Sequence, residues 1–198
     1  MRTPTGLVEY VVCGWPEDGP TLRLDYRRFS YAGKFVMSST GKAVARDPDA
    51  AASAGESEFD ERVVAAVAFN EDRTDPDTLW LRYITVRNDR RGDGIGARLA
   101  AFATERAAMR GYDRLRIAVN NPFAYEALYK AGFGSTGRET GLAELVLERP
   151  AGRPAKRSHA TYQTGLDVYR ERDLSGDEED FLDAREGADP PAVIDPLA

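Results

Sequence analysis

The spacing of apolar and polar positions changes period along this chain, and glycines mark the changes. From Leu79 to Val86 the residues are β-branched, aromatic or leucine, with Leu79, Leu81, Tyr83 and Thr85 alternating against Trp80, Arg82, Ile84 and Val86, which predicts a largely buried strand. After three glycines the period lengthens. Ile95, Leu99, Phe102, Ala103 and Met109 recur near helical spacing, Arg98, Glu105 and Arg106 fill the other side, and Gly111 is a natural stop. Leu115 to Val119 reads as the next strand. Asn121-Pro122 then opens a short helix, because Asn caps well and Pro suits the first helical position, and Gly132-Phe133 closes it. In this helix Ala124, Ala127, Leu128 and Ala131 form one stripe, with Tyr125 and Tyr129 one turn apart on an adjacent face.

The amino-terminal third is patterned less sharply. Leu7 to Trp15 and Thr21 to Phe29 read as strands of a hairpin joined through Pro16-Glu17-Asp18-Gly19-Pro20. Tyr31 to Ala45 is ambiguous, and irregular structure or a short helix near Lys34 to Thr40 is expected. Residues 47–60, rich in Asp, Ala, Ser and Glu, are expected to form a mobile loop. Arg62 to Asn70 and Leu142 to Glu148 complete the strand set.

Composition bounds the class. A chain of 198 residues at 42% apolar can bury a full core. One domain is expected over residues 1–150, followed by a linker, Ala151-Gly152-Arg153-Pro154, and a partly disordered acidic extension over 151–198. Residues 171–189 hold nine carboxylates against Arg172 and Arg185, a local charge of −7 in a chain of −6, so the acidity belongs to the tail. Ser175-Gly176-Asp177-Glu178 fits a capping box that starts a short acidic helix; a solvated helix is expected, with docking of Phe181 and Leu182 as the alternative. There is no long apolar run and no leader pattern, so neither secretion nor a membrane partner is expected, and cytoplasm is the expected location. Cys13, the single cysteine, is expected to pack within a strand, and His159, the single histidine, lies in a polar stretch, so no metal site is expected.

The chemistry concentrates at Arg90-Arg91-Gly92-Asp93-Gly94-Ile95-Gly96, between strand and helix. The first N–H groups of a helix have no internal partner and carry partial positive charge, and a phosphate satisfies both. Glycines there let a ligand approach the backbone and permit positive φ. The dinucleotide fingerprint is not met: five residues separate Val86 from the first glycine, and Leu99 stands where the third glycine would be. Nor is there a P-loop pattern.

This loop and the short helix together resemble the GCN5-related N-acetyltransferase (GNAT) family. Arg91-Gly92-Asp93-Gly94-Ile95-Gly96 fits its [QR]-x-x-G-x-[GA] motif, and the helix ending in Tyr129-Lys130-Ala131-Gly132-Phe133 resembles its Tyr-x-x-x-Gly-Phe ending. The resemblance covers about residues 62–149. It implies an α/β (α+β) fold with a mixed central sheet flanked by helices. It also implies acetyl-CoA as cosubstrate, with its pyrophosphate on the backbone from Arg91 through Gly92, Asp93, Gly94, Ile95 and Gly96 to Ala97. The pantetheine arm would pair along Ile84, Thr85 and Val86, the Ile84 N–H would act as oxyanion donor, and Asn121 or Asn120 would touch the cofactor. Tyr129 would protonate the departing thiolate, with Tyr125 in reserve.

Two departures from the family stand out. Asn121 and Tyr129 are one residue further apart than the commonest spacing, and the positions that carry a glutamate base in family members are Trp80 and Arg116 here. A water chain, Tyr83, Glu9 or Asp25 would have to serve. The resemblance thus implies an N-acetyltransferase acting by direct attack of an unidentified amine, of a small molecule or a protein. A homodimer is compatible with it, and nucleic acid is not an expected partner. The competing reading is a non-catalytic acyl-CoA-binding module, and a nucleotide-binding oxidoreductase is weakened by the fingerprint mismatch.

Overall fold

The computed structural model describes residues 7–50 and 59–195. Seven strands form one sheet in the order β1-β2-β3-β4-β5-β7-β6. They are β1 (Glu9–Gly14), β2 (Gly41–Arg46), β3 (Val63–Glu71), β4 (Thr78–Val86), β5 (Arg114–Val119), β6 (Gly134–Glu139) and β7 (Leu145–Pro150). Every pairing is antiparallel except β4 with β5. Among the described residues four α-helices accompany the sheet: α1 (Ile95–Met109), α2 (Pro122–Lys130), α3 (His159–Arg170) and α4 (Gly176–Asp183). The fold is thus mixed α/β, as expected.

The alternation read along β4 changes phase inside the strand. Phe69 pairs with Leu81 but Ala68 pairs with Tyr83, so Arg82 is an extra residue opposite no partner. A bulge of this kind shifts every later side chain to the other face. Leu79, Leu81, Ile84 and Val86 therefore share the face packed in the main core under α1, while Tyr83 packs with a second cluster on the opposite face. That second cluster, Leu24, Phe29, Ala32 and Phe35 on Val44, Val63, Ala66 and Ala68, is a cap laid over β2 and β3 by residues 22–35.

This cap replaces the expected hairpin. Thr21 to Phe29 is not a strand, because the Asp25 carboxylate accepts from Arg27 N–H and the Asp25 carbonyl accepts from Arg28 and Phe29 N–H, folding the segment into a turn. β1 pairs instead with β2, in the stretch expected to be irregular. A buried ammonium fastens the cap: Lys42, fully buried on β2, donates to the carbonyls of Pro20, Met37 and Thr40 at 2.6–2.8 Å. β6 carries no apolar alternation and was not legible as a strand. Cys13 lies on β1 but is exposed rather than packed, and Met109, assigned to the buried face of α1, is 72% exposed. The expected mobile loop falls largely on residues 51–58, outside the described residues.

The carboxyl-terminal segment differs most from expectation. Residues 159–183 fold onto the domain, with Tyr162, Leu166, Tyr169 and Leu182 buried in the main core. The capping box at Ser175 is present, and α4 docks: Phe181 meets Phe123 with ring centroids 4.7 Å apart, and Arg185 bridges to buried Glu126 on α2. Glycine makes this docking fit. A Cβ on Gly165 of α3 would fall 2.0 Å from the Tyr125 hydroxyl oxygen.

Candidate functional site

The parallel ladder between β4 and β5 stops early. It joins Thr78, Leu79, Trp80 and Leu81 to Arg114, Leu115, Arg116 and Ile117, and beyond the bulge at Arg82 the two strands have no common partners. β5 continues to Val119 with its bonds directed to β7. Residues 83–86 of β4 thus pair with β3 alone and leave one backbone edge open toward the gap. Which groups line that edge follows from the ladder. Arg87 N–H donates to the Val64 carbonyl, so in the alternation of an antiparallel pair Thr85 and Tyr83 face β3, and the N–H and C=O of Ile84 and Val86 face the gap. The Val86 carbonyl is within 3.4 Å of Arg91 Nε.

The glycine loop closes one end of this gap. A turn of 3-10 helix, Asn88–Arg90, follows β4, and the chain then passes through Gly92 and Gly94, both at positive φ (87° and 75°), before α1 begins at Ile95. A side chain at either glycine would be strained there. At Gly96 the limit is space, since a Cβ would approach Val86 Cγ2 to 3.1 Å. The other three α-helices have side-chain caps, from Asn121, Ser158 and Ser175, whereas α1 has none and no acidic residue in its first turn. Its leading N–H groups are the kind of donors an anion satisfies.

The arginines around the loop are held differently. Arg90 is mostly buried and bridges to Asp47 and Asp93 at 3.2 and 3.3 Å, so it builds the loop. Arg91 is exposed, hydrogen-bonded to Ser30, and lies where the loop meets the end of β4. Asn121 at the head of α2 uses its carboxamide oxygen to accept from Ala124 N–H at 2.8 Å, and its Nδ2 donates to Asn120 Oδ1. It is first of all a helix cap. The Thr85 hydroxyl is buried and has no partner among the described residues.

Tyr129 is not at the gap. It is fully buried near the end of α2, in a cluster with Tyr125 and Tyr162, and its hydroxyl oxygen accepts from Ser135 N–H at 3.1 Å and from Tyr125 Oη–H at 3.2 Å. A phenol so enclosed does not reach a departing thiolate. The spacing explains the displacement. Two residues, not three, separate Tyr129 from Gly132, so the position four before the glycine is Leu128. One residue along a helix turns a side chain by about 100°. The extra residue between Asn121 and the tyrosine has the same origin, so the family's tyrosine position is leucine here. Tyr125 is no substitute, being fully buried, with a pKa pushed far up by burial first and by the neighbouring phenols.

The carboxylates considered as bases are also out of play. Glu9 lies on β1, with β2 and β3 between it and β4, and Asp25 is clamped by Arg27 at 2.8 and 2.9 Å. Trp80 and Arg116, adjacent across β4 and β5, instead organise two carboxylates the sequence reading missed. Asp72 accepts from the Trp80 indole N–H at 2.5 Å and lies 3.7 Å from Arg116, and Glu148 accepts from Arg116 Nε at 2.7 Å. Hydrogen bonds from the Thr74 backbone and the Trp80 indole hold the Asp72 carboxyl well below the usual carboxylate range, so it is no proton acceptor near neutrality.

Among the described residues no group of three or more His, Cys, Asp or Glu side chains is placed to hold a metal, and no helix is long and apolar enough to cross a membrane.

Comparison with known proteins agrees with this geometry. A family model described as the acetyltransferase (GNAT) family matches residues 9–133. Among solved structures, a GNAT-family acetyltransferase from Desulfovibrio desulfuricans superposes with a TM-score of 0.52 at 14% identity, covering 73% of this chain and 99% of that one. An acetyltransferase from Bacillus subtilis, solved with CoA, gives 0.51 at 15% identity, again over 73% and 99%. An N-acetyltransferase from Lactobacillus plantarum gives 0.51 at 16% identity over 73% and 98%. At these identities the likeness is one of fold. No curated protein sequence matches this one.

Proposed function

We propose, from the premise that this chain belongs to the GNAT family of acetyltransferases, that the gap between β4 and β5 is where it seats acetyl-CoA. The family's activity is acetyl transfer from acetyl-CoA to an amine. Arg91, Gly92, Asp93, Gly94, Ile95, Gly96 and Ala97 would cradle the pyrophosphate with backbone N–H groups, Arg91 adding charge. The open edge at Ile84, Thr85 and Val86 would take the pantetheine amides as an added strand does, with Asn121 bordering the gap on the α2 side. The observation that carries this is the coincidence of an unpaired strand edge with an uncapped helix start.

Catalysis in this reading is mainly positioning. A thioester is already activated, so an amine held against it attacks directly, without a covalent enzyme intermediate. The Ile84 N–H points into the gap and would stabilise the oxyanion as the carbonyl becomes tetrahedral. The C–S bond then breaks. The proton on the new ammonium leaves to water at the mouth, and water returns one to the thiolate, since among the described residues neither Tyr129 nor a free carboxylate stands there.

Calorimetry with acetyl-CoA, paired with thiol release on a panel of primary amines, tests the assignment. Gly94→Glu is expected to abolish acetyl-CoA binding, because it sets a carboxylate at the phosphate site on a residue at positive φ. Unchanged affinity would refute the cradle. Tight binding with no amine turned over would instead favour the non-catalytic module.

A further inference from the structure

The acceptor can approach the gap from one side only. Ile84 and Val86 pack into the core under α1, so that face is closed. The opposite face at this point of β4 carries Trp80, Arg82 and Tyr83, with Tyr31 and Lys34 reaching over from the cap. Here two cations lie on aromatic rings. The Arg82 guanidinium sits 5.1 Å from the Trp80 ring centroid and Lys34 Nζ 5.7 Å from that of Tyr83, whose other neighbour is Tyr31 at 6.0 Å.

Neither cation has a carboxylate within ion-pair distance among the described residues. Arg82 is exposed, and its Nε donates to Asn70 Oδ1 at 2.6 Å, which with the indole fixes the plane of the fork. Asp72 is near enough to act on its charge but does not pair with it, being hydrogen-bonded to the Trp80 indole and 3.7 Å from Arg116, and Glu148 is bonded to Arg116. The bulge brings this about. Arg82 is the bulged residue itself, so its side chain joins Trp80 and Tyr83 on the accessible face, two residues before the Ile84 N–H. A guanidinium held by a cation–π contact and one hydrogen bond, with its terminal N–H groups unclaimed among the described residues, is preorganised for bidentate recognition of a carboxylate.

We propose that the acceptor is a primary amine whose carrier bears a carboxylate, which Arg82 grips and Lys34 attracts while the amine faces the thioester. This rests on the acetyl-CoA reading of the gap. Trp80 lies beside one charge and Tyr83, tilted 37° to Tyr31, beside the other, so the carbon skeleton between amine and carboxylate would lie across Tyr83. Either a free amino acid or a peptide with an acidic residue at its amino terminus has this chemistry.

The test uses matched pairs: ω-amino acids of increasing length, each against its own amide, and an aspartyl peptide amide against its asparaginyl twin, with thiol release as readout. The acid is expected to exceed its neutral twin in kcat/KM by about tenfold or more in at least one series, mainly through KM. The series in which this occurs identifies the source. Arg82→Gln should remove the preference, Arg82→Lys should keep part of it, and Lys34→Gln should weaken it and its salt dependence. Equal rates for acid and neutral twin throughout, or an Arg82→Gln variant that slows both alike, would overturn the inference. Calorimetry with acetyl-CoA separates this from failure of the underlying reading: wild-type protein that binds the cofactor but shows no preference refutes the acceptor alone, and protein that does not bind it refutes both.

Discussion

Tyr129 shows how much a single residue of phase matters. Its sequence neighbourhood suggests a proton donor, yet its hydroxyl completes a buried hydrogen-bond set between α2 and β6. Tyr129→Phe is therefore expected to leave turnover per folded molecule unchanged while costing about 1–3 kcal/mol, because the Ser135 N–H loses its acceptor. Urea unfolding beside steady-state kinetics would show which quantity moves, and a large fall in kcat would restore the phenol to the chemistry. Asp72 makes a second prediction. Its pKa is lower folded than unfolded, so its stabilising contribution is full above the ordinary aspartate range of about 4 and is lost as pH falls through and below it. Asp72→Asn should flatten that part of the acid limb, measured as the urea midpoint against pH.

At the scale of elements, helix boundaries were legible and strand faces were not. Gly111, Asn121-Pro122 and Ser175-x-x-Glu178 act through local geometry, and each does what its position suggests. The β4 bulge has no such local mark, since it is set by how β3 and β4 meet. The contact of α3 with α2 gives the prediction at this scale. Because a Cβ at residue 165 would strike the Tyr125 ring, Gly165→Ala should destabilise by about 1–3 kcal/mol or more, with loss of near-ultraviolet ellipticity from the tyrosine cluster. A melting temperature equal to the parent's would mean that α3 sits more loosely than this.

For the whole molecule, the acidic end of the chain is part of the body. Its charge remains outward on α4 and the turns that follow, while Tyr162, Leu166, Tyr169 and Leu182 are buried. Burial at about 1.5–3 kcal/mol for each such side chain is comparable with the whole stability of a domain, about 5–15 kcal/mol. Removing residues 156–198 is thus expected to abolish cooperative thermal unfolding. A truncated chain that melts as the full one does would return the segment to the status of an appendage.

The sequence by itself determined the glycine loop and its helix, because these rest on local backbone requirements that particular residues meet wherever the rest of the chain goes, and the family and its cosubstrate followed from the motifs those residues resemble. It did not determine which way side chains face. The inward turn of Tyr129 is written in its spacing to Gly132, but the bulge that turns Arg82 to the accessible side, the cap over β2 and β3 and the docking of α3 and α4 depend on contacts between segments far apart in the chain. In a strand one inserted residue exchanges the faces, and in a helix one residue turns a side chain through more than a quarter circle, so only the packed partners settle the outcome.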